Sequence, residues 1–104
     1  MDFEKYRSDF DRDGFVIVRQ LLTPGELDEL RSNLDRYIRE VVPALPDSEA
    51  FYEDLSRPET LKQLQHMGRD AFFQAYREHP KWLGLAEALL GEPARAEEPE
   101  WFNK

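Results

Sequence analysis

Apolar residues recur at the spacing of one helical face in the segment that follows Thr23. This apolar stripe consists of Leu27, Leu30, Leu34, Tyr37, Ile38 and Val41, and mostly polar side chains occupy the positions between them. Thr23, Pro24 and Glu26 have the pattern of a capping box, in which Thr23 accepts a hydrogen bond from the amide of Glu26. The pattern predicts a long amphipathic helix that begins after Thr23 and is ended by the prolines from Pro43 onward.

A short helix and a strand are predicted before this long helix. Phe3, Tyr6 and Phe10 follow a helical spacing, and Gly14 stands where a helix would end on a left-handed residue. The run 15–18 is aromatic and β-branched, and it is too short for a helix. We therefore predict that residues 15–18 form the clearest strand of the chain.

The segment between the long helix and Asp70 has no single dominant pattern. The pattern of residues 47–58 predicts a loop with a weak strand, and Pro58 restricts the backbone conformation of the residue before it. Residues 61–67 place apolar side chains at positions 61, 64 and 67, which favours a helix, but the segment is short and Gly68 closes it. The local pattern leaves helix and strand open for these residues.

Two further helices are predicted in the last third of the chain. Residues 70–77 carry a helical set of apolar positions, and a second set runs through Leu90 and ends at Gly91. The segment 94–104 is acidic and rich in proline until Trp101. Since no internal repeat is visible, residues 1–104 are interpreted as a single unit.

The charge balance narrows the range of partners. Fourteen Lys and Arg residues stand against 22 Asp and Glu residues, which gives a formal net charge of −8. Basic residues are scattered singly, so the sequence lacks the clustered positive face that nucleic acid binding requires. There is no cysteine, and the longest apolar run is far shorter than the roughly 20 residues of a membrane span. We expect a soluble cytoplasmic protein that binds neither nucleic acid nor membrane.

The acidic run at Asp9, Asp11 and Asp13 resembles the first half of a calcium-binding EF-hand loop. Alternating oxygen ligands followed by Gly14 fit that loop, but its twelfth position is Gln20, which cannot supply a bidentate carboxylate. A helix that ends at Gly14 explains the same residues. Calcium binding is kept as a minor alternative.

The sequence offers little for a catalytic or metal site of its own. Neither His66 nor His79 is followed two residues later by a carboxylate, and no metal site is predicted from them. Motifs for a serine nucleophile or a phosphate-binding loop are absent from the sequence. Six carboxylates could pair for acid–base chemistry but are expected to be solvated: Glu49, Glu53, Asp54, Glu97, Glu98 and Glu100.

The order of several short motifs resembles one enzyme family. Residues 10–19 contain DGFVIV, residues 21–30 contain the proline-started helix, residues 79–93 end in LLGEP, and residues 102–104 read FNK. This order is similar to the N-terminal part of the phytanoyl-CoA dioxygenase family of Fe(II)- and 2-oxoglutarate-dependent oxygenases. Each motif alone is weakly specific, and their order and spacing carry the resemblance.

The resemblance implies an α+β fold in which N-terminal helices support the first strands of a double-stranded β-helix, the cupin-like jelly roll. It implies that residues 61–67 are a strand of the core sheet. The intact enzyme would use Fe(II) and 2-oxoglutarate to hydroxylate a C–H bond of a small-molecule substrate. The family's His-x-Asp ligand pair would follow Lys104, so the chain is expected to be truncated, to bind neither cofactor alone and to be inactive.

Only residues of the pocket wall can be carried over from the family. Gln63 falls where some members place a lysine that contacts 2-oxoglutarate, and the substitution puts that contact in doubt. Period-two alternation puts Glu100, Phe102 and Lys104 on one face of the last strand, which in the family looks into the cavity. We therefore predict Gln63, Glu100 and Lys104 as cofactor-side residues and Phe102 as a substrate contact, and we predict no catalytic or metal-binding residue.

Two alternatives concern the chain as a binding protein. The apolar stripe of the long helix could bind a partner, which would make the chain a stand-alone helical interaction module. If the chain is instead part of a barrel, its strands would have unpaired edges. Self-association through strands near residues 15–18, 61–67 and 100–104 is then expected.

Overall fold

Four α-helices, three β-strands and short 3-10 turns make up residues 2–103, which the computed structural model describes. The helices are α1 (Arg7–Asp13), α2 (Pro24–Glu40), α3 (Ala71–Tyr76) and α4 (Pro80–Leu90). The strands are β1 (Ala50–Tyr52), β2 (Leu61–Leu64) and β3 (Trp101–Phe102). The 3-10 turns are Glu4–Tyr6, Val42–Ala44, Pro58–Thr60 and Met67–Arg69.

The capping box predicted at the start of α2 is confirmed. The amide of Glu26 donates to Thr23 Oγ1 over 3.1 Å, and the amide of Thr23 donates to Glu26 Oε1 over 2.8 Å. These two bonds satisfy amides that no helical carbonyl can reach, and Pro24 at the first helical position has no amide to satisfy. The entry of the chain into α2 is therefore fixed by local chemistry.

The three strands form one antiparallel sheet in the order β1-β2-β3. Ala50 pairs with Leu64 and Phe51 with Gln63, whereas Tyr52 pairs with Leu61, so Lys62 is an extra residue in β2. This bulge breaks the alternation of β2. Leu61 and Leu64 are consequently both buried, although they stand three residues apart. The strand that the family resemblance implied is confirmed for residues 61–64.

The main hydrophobic core lies between α2, α3 and the sheet. Tyr37, Leu64 and Met67 are its largest fully buried side chains, and the ring of Tyr37 meets Phe73 edge to face at 5.6 Å between centroids. Four residues of the apolar stripe pack against this core: Leu30, Leu34, Ile38 and Val41. Because Tyr37 is fully buried and these four residues are partly buried against the core, most of the stripe is used inside the fold.

An ion pair joins α2 to the start of α3. Arg36 donates two hydrogen bonds to Asp70, of 3.0 and 2.9 Å, and Asp70 also accepts from the amides of Phe72 and Phe73 as the N-cap of α3. Burial by itself raises the pKa of Asp70, but the hydrogen bonds from Arg36 and these amides outweigh burial and hold the pKa below its ordinary value. Asp70 therefore caps one helix and anchors another.

The helical pair predicted in the last third is confirmed as α3 and α4. His79 is the N-cap of α4, and Gly91 ends this helix with a left-handed φ of 75°. Buried Ala88 of α4 packs in a second cluster with Phe3 and Leu21. None of the helices within residues 2–103 combines the length and the apolar character needed to cross a membrane.

The prediction of a strand at residues 15–18 is wrong, because these residues do not form a strand in the described structure. The helix before it ends at Gly14 as expected, with φ 79°, and the segment continues without pairing to a strand of the sheet. The Phe15 and Ile17 side chains are 61% and 63% exposed, while Val18 packs on the second cluster. The residues have strand propensity, but a strand also requires a hydrogen-bonded neighbour. The sheet within residues 2–103 has three strands. The fold is therefore α+β, but residues 2–103 do not form a complete jelly roll.

Truncation of Leu64 to Ala is expected to lower the free energy of unfolding by about 2 to 5 kcal/mol, because it opens a cavity beneath α2. Leu55→Ala is the matched control, since Leu55 is 67% exposed and its loss changes stability by only about 0.5 kcal/mol or less. Urea denaturation followed by circular dichroism measures both. Equal losses in the two variants would show that the core is not where the structure places it.

Candidate functional site

One face of the sheet packs against α2, and the other face, among residues 2–103, carries the exposed rings of Phe51 and Phe102. On this other face, Gln63 of β2 is the direct cross-strand neighbour of Phe51 on β1 and of Phe102 on β3. Their chain neighbours Ala50, Leu64 and Trp101 pack in the main core, which places these three on the opposite side. We call the surface formed by Phe51, Gln63 and Phe102 the open face.

The open face combines one amide with two aromatic rings. Directly opposed residues of neighbouring antiparallel strands have Cβ atoms roughly 4.5 to 5.5 Å apart, so both rings are within reach of the amide of Gln63. Gln63 is half-buried, Phe51 is 39% exposed and Phe102 is 57% exposed. Two neighbouring exposed rings flanking an amide form a surface able to bind a molecule that has both polar and apolar parts.

The predicted pocket-wall residues are only partly brought together. Gln63 and Phe102 are cross-strand neighbours, whereas Glu100 precedes β3 and borders a cavity beside Arg31 and Trp101 of the covered side. Lys104 lies outside the described residues. Because β3 consists of Trp101–Phe102 alone, the alternation expected through residues 100–104 is not realised as a regular strand.

The sequence pattern did not place Phe51 at this site. The available signal was the weak strand tendency of residues 47–58, which becomes β1. Phe51 joins the site through its pairing with Gln63, and cross-strand register is not encoded within either segment alone.

His66 is engaged at the end of β2. Its Nδ1 lies 2.7 Å from Glu98 Oε2, and the residue adopts a left-handed φ of 58°. The amide of Met67 donates to the carbonyl of Pro99 over 3.3 Å. These contacts hold the segment before β3 against the turn that follows β2.

His79 belongs to a second polar cluster, with Glu26 and Lys81. The amide of Lys81 donates to His79 Nδ1 over 3.1 Å, which leaves Nε2 to carry the ring proton and donate to Glu26 Oε2 at 3.2 Å. The Lys81 ammonium group contacts the same carboxylate and also donates to the carbonyl of Leu21 over 2.9 Å. The hydrogen bond from Lys81 and the bond from the Thr23 amide lower the pKa of Glu26 to about 2. This cluster ties the start of α2 to the start of α4.

Within residues 2–103 no three His, Cys, Asp or Glu residues are grouped so as to hold a metal ion. The EF-hand hypothesis is wrong because Asp9, Asp11 and Asp13 lie on α1 rather than on a loop. They pair with arginines of the same helix, Asp11 with Arg7 at 3.5 Å and both Asp9 and Asp13 with Arg12.

The carboxylates considered for acid–base chemistry have mostly basic or hydroxyl partners. Glu49 contacts Arg69, Glu53 lies 3.7 Å from Lys62, and Glu98 binds His66. Asp54 accepts hydrogen bonds from the hydroxyl and the amide of Ser56, which lower its pKa. These contacts assign structural roles to four of the six.

Comparison with known protein families finds one match for this chain. The family model of phytanoyl-CoA dioxygenase (PhyH) matches residues 10–104. The matched region includes α2, the whole sheet and every residue of the open face. Neither the curated proteins nor the solved structures provide a match.

The stability difference between the wild type and Glu26→Gln is expected to depend on pH. The folded pKa of Glu26, about 2, lies below its ordinary value of 4.5, so ionised Glu26 stabilises the fold fully above pH 4.5 and progressively less as the pH falls toward 2. Urea denaturation from pH 7 to pH 2 should show the two proteins converging at low pH. Glu29→Gln on the same helix is the control, and an equal convergence there would contradict the assignment.

Proposed function

Because this chain belongs to the phytanoyl-CoA dioxygenase family, we propose that it forms the N-terminal part of a non-haem Fe(II)/2-oxoglutarate-dependent oxygenase that hydroxylates a small molecule. The family in general consists of Fe(II)/2-oxoglutarate-type oxygenases with a cupin-like jelly-roll fold. The helices and the small antiparallel sheet are consistent with part of such a domain. The observation that carries the proposal is the family match across residues 10–104.

The described residues do not fit the iron. His66 is bound to Glu98 and His79 to Glu26, and the two pairs lie at the end of β2 and at the start of α4. Neither histidine is part of the His-x-Asp motif that the family uses. In the proposed enzyme the iron ligands would therefore come from outside residues 1–104, and the residues of this chain would take no step at the metal.

The open face is proposed as one wall of the pocket. The amide of Gln63 can donate a hydrogen bond to a carboxylate oxygen of 2-oxoglutarate. This amide is neutral, so it is a weaker donor than the lysine that some family members have at this position. The exposed rings of Phe51 and Phe102 can cover the apolar part of a substrate and exclude water from it. The contribution of this chain would be binding and positioning of the reactants.

Three further parts of the proposal follow from the family resemblance, the sequence and the sheet. Lys104 is kept as a further pocket-wall residue on the basis of the family resemblance, whereas Glu100 borders the cavity beside Arg31 and Trp101 on the covered side and is not assigned to this wall. Self-association of the isolated chain would use the open face or the outer edge of β3, where strand hydrogen bonds lack a partner within residues 2–103. The location is proposed to be cytoplasmic.

The proposed activity is tested on the protein encoded by the whole reading frame that contains this sequence. We expect a His-x-Asp motif in that frame, and release of succinate from 2-oxoglutarate when Fe(II) and oxygen are supplied. A frame with neither that motif nor a second histidine farther on, together with no succinate release, would overturn the proposal.

Replacement of Gln63 by Ala in that full protein is expected to raise the KM for 2-oxoglutarate about tenfold, since a hydrogen bond to a charged group is lost. Gln63→Lys should instead lower the KM, because an ammonium group binds a carboxylate more strongly than an amide does. Gln74→Ala is the matched control, as Gln74 lies on α3 and outside the sheet. Initial rates of succinate formation measure all three, and an unchanged KM in both Gln63 variants would remove Gln63 from the pocket wall.

A further inference from the structure

The residue that follows β3 makes two hydrogen bonds to β2. The main-chain amide of Asn103 donates to the carbonyl of Lys62 over 2.8 Å, and the side-chain Nδ2 of Asn103 donates to the carbonyl of Leu61 over 3.1 Å. One asparagine thus binds two consecutive carbonyls of the neighbouring strand. We call these two bonds the Asn103 bridge.

The two carbonyls of the Asn103 bridge lie at the bulge of β2. In a regular strand consecutive carbonyls point to opposite edges, so a neighbouring strand meets only one of them. In β2 the extra residue is Lys62, and the carbonyls of Leu61 and Lys62 both point toward β3. The preceding carbonyl, of Thr60, accepts from the amide of Glu53 beside β1 over 3.1 Å. The bulge therefore presents two adjacent acceptors to β3.

Asparagine suits the position opposite these acceptors because it has amide N–H groups on both its main chain and its side chain. The main-chain N–H of Asn103 binds one carbonyl as in an ordinary antiparallel pair, and Nδ2 binds the second. Alanine at this position would remove the donor to the Leu61 carbonyl, and aspartate would place a negative oxygen against it. The side chain of Asn103 therefore stabilises the bulged form of β2.

The bulge determines how β2 is divided between the two faces of the sheet. Leu61 and Leu64 are both buried in the main core although they stand three residues apart, and strict alternation would place only one of them there. The bulge allows β2 to bury both leucines while Gln63 lies on the open face between Phe51 and Phe102. The arrangement of the open face thus depends on the form of β2 that the Asn103 bridge stabilises.

We propose that Asn103 is a positioning residue of the open face. Asn103 follows Phe102, so alternation directs its side chain away from the open face, and it acts through Gln63 without contacting the reactants. By joining β3 to the bulge of β2, it keeps Phe102 opposite Gln63. This inference rests on the proposed function, to which it adds a role for a residue outside the pocket wall.

Asn103→Ala in the full protein removes the side-chain bond and keeps the main-chain bond. Asn103 is exposed, so the variant is expected to fold. We expect the KM for 2-oxoglutarate to rise about fivefold, with kcat changed less than about twofold, because Gln63 is proposed to bind the co-substrate and to take no part in the chemical step.

Asn33→Ala is the matched control for the loss of an asparagine side-chain bond. Nδ2 of Asn33 donates to the carbonyl of Glu29 over 2.9 Å, but both residues lie on α2 and away from the open face. The KM for 2-oxoglutarate should therefore stay at the wild-type value. A rise equal to that of Asn103→Ala would show a general effect of lost stability and would overturn the inference.

The Gln63→Ala background separates positioning from a purely structural role. Once Gln63 is truncated, the further change Asn103→Ala should raise the KM by less than about twofold, because the group that Asn103 positions is gone. A full fivefold rise in that background would mean that Asn103 acts independently of Gln63, which contradicts the inference.

The remaining outcomes distinguish this inference from the proposed function. Succinate release by the wild type, with an unchanged KM in Asn103→Ala, overturns the inference and leaves the proposed function intact. If the wild type releases no succinate, the proposed function fails, and hydrogen exchange of the amides of residues 61–64 and 101–103 decides whether Asn103 holds the two strands in place. Exchange about fivefold faster in Asn103→Ala but not in Asn33→Ala supports that role, and equal exchange in both variants and the wild type overturns it.

Discussion

The packing of α2 across one side of the sheet is the constraint on which the other features depend. Tyr37 of α2 and Leu64 of β2 are both fully buried, and the ring of Tyr37 meets Phe73 of α3 edge to face. With the apolar stripe of α2 committed to this side, the residues that alternate with Leu64 must lie on the other side. The position of Gln63 on the open face is therefore a consequence of the burial of its neighbour.

Two polar connections keep α2 in this position. Near its start, Glu26 binds His79 and Lys81 at the beginning of α4, and toward its end Arg36 binds Asp70 at the beginning of α3. Both connections join α2 to the first residues of a later helix, where a polar side chain also serves as the cap. Helix capping and helix packing are thus achieved by the same few side chains, which links local structure to the arrangement of the core.

Features that depend on local chemistry could be predicted from the sequence. The capping box at Thr23 and the left-handed glycines at Gly14 and Gly91 are encoded within a few residues, and the structure confirms them. The strand β2 could not be assigned locally because the bulge at Lys62 buries Leu61 and Leu64, a spacing of three that imitates a helix. For residues 15–18 the local pattern predicted a strand that does not form in the described structure, since residues with strand propensity form a strand only when a neighbouring strand pairs with them.

The candidate site was predictable only as far as family resemblance reaches. Gln63 and Phe102 were identified separately, and the register that makes them neighbours appears only in the folded sheet. Phe51 was missed for the same reason, because it enters the site through pairing rather than through a motif.

The short strand β3 contributes to both sides of the sheet. Trp101 packs against the main core, and Phe102 lies on the open face as the cross-strand neighbour of Gln63. β3 is held by its pairing with β2 and by the bond from the amide of Asn103 to the carbonyl of Lys62, at 2.8 Å. Because consecutive residues of a strand point to opposite sides of a sheet, the packing of Trp101 against the core fixes the side on which Phe102 stands beside Gln63. The open face therefore depends on the same core that α2 completes.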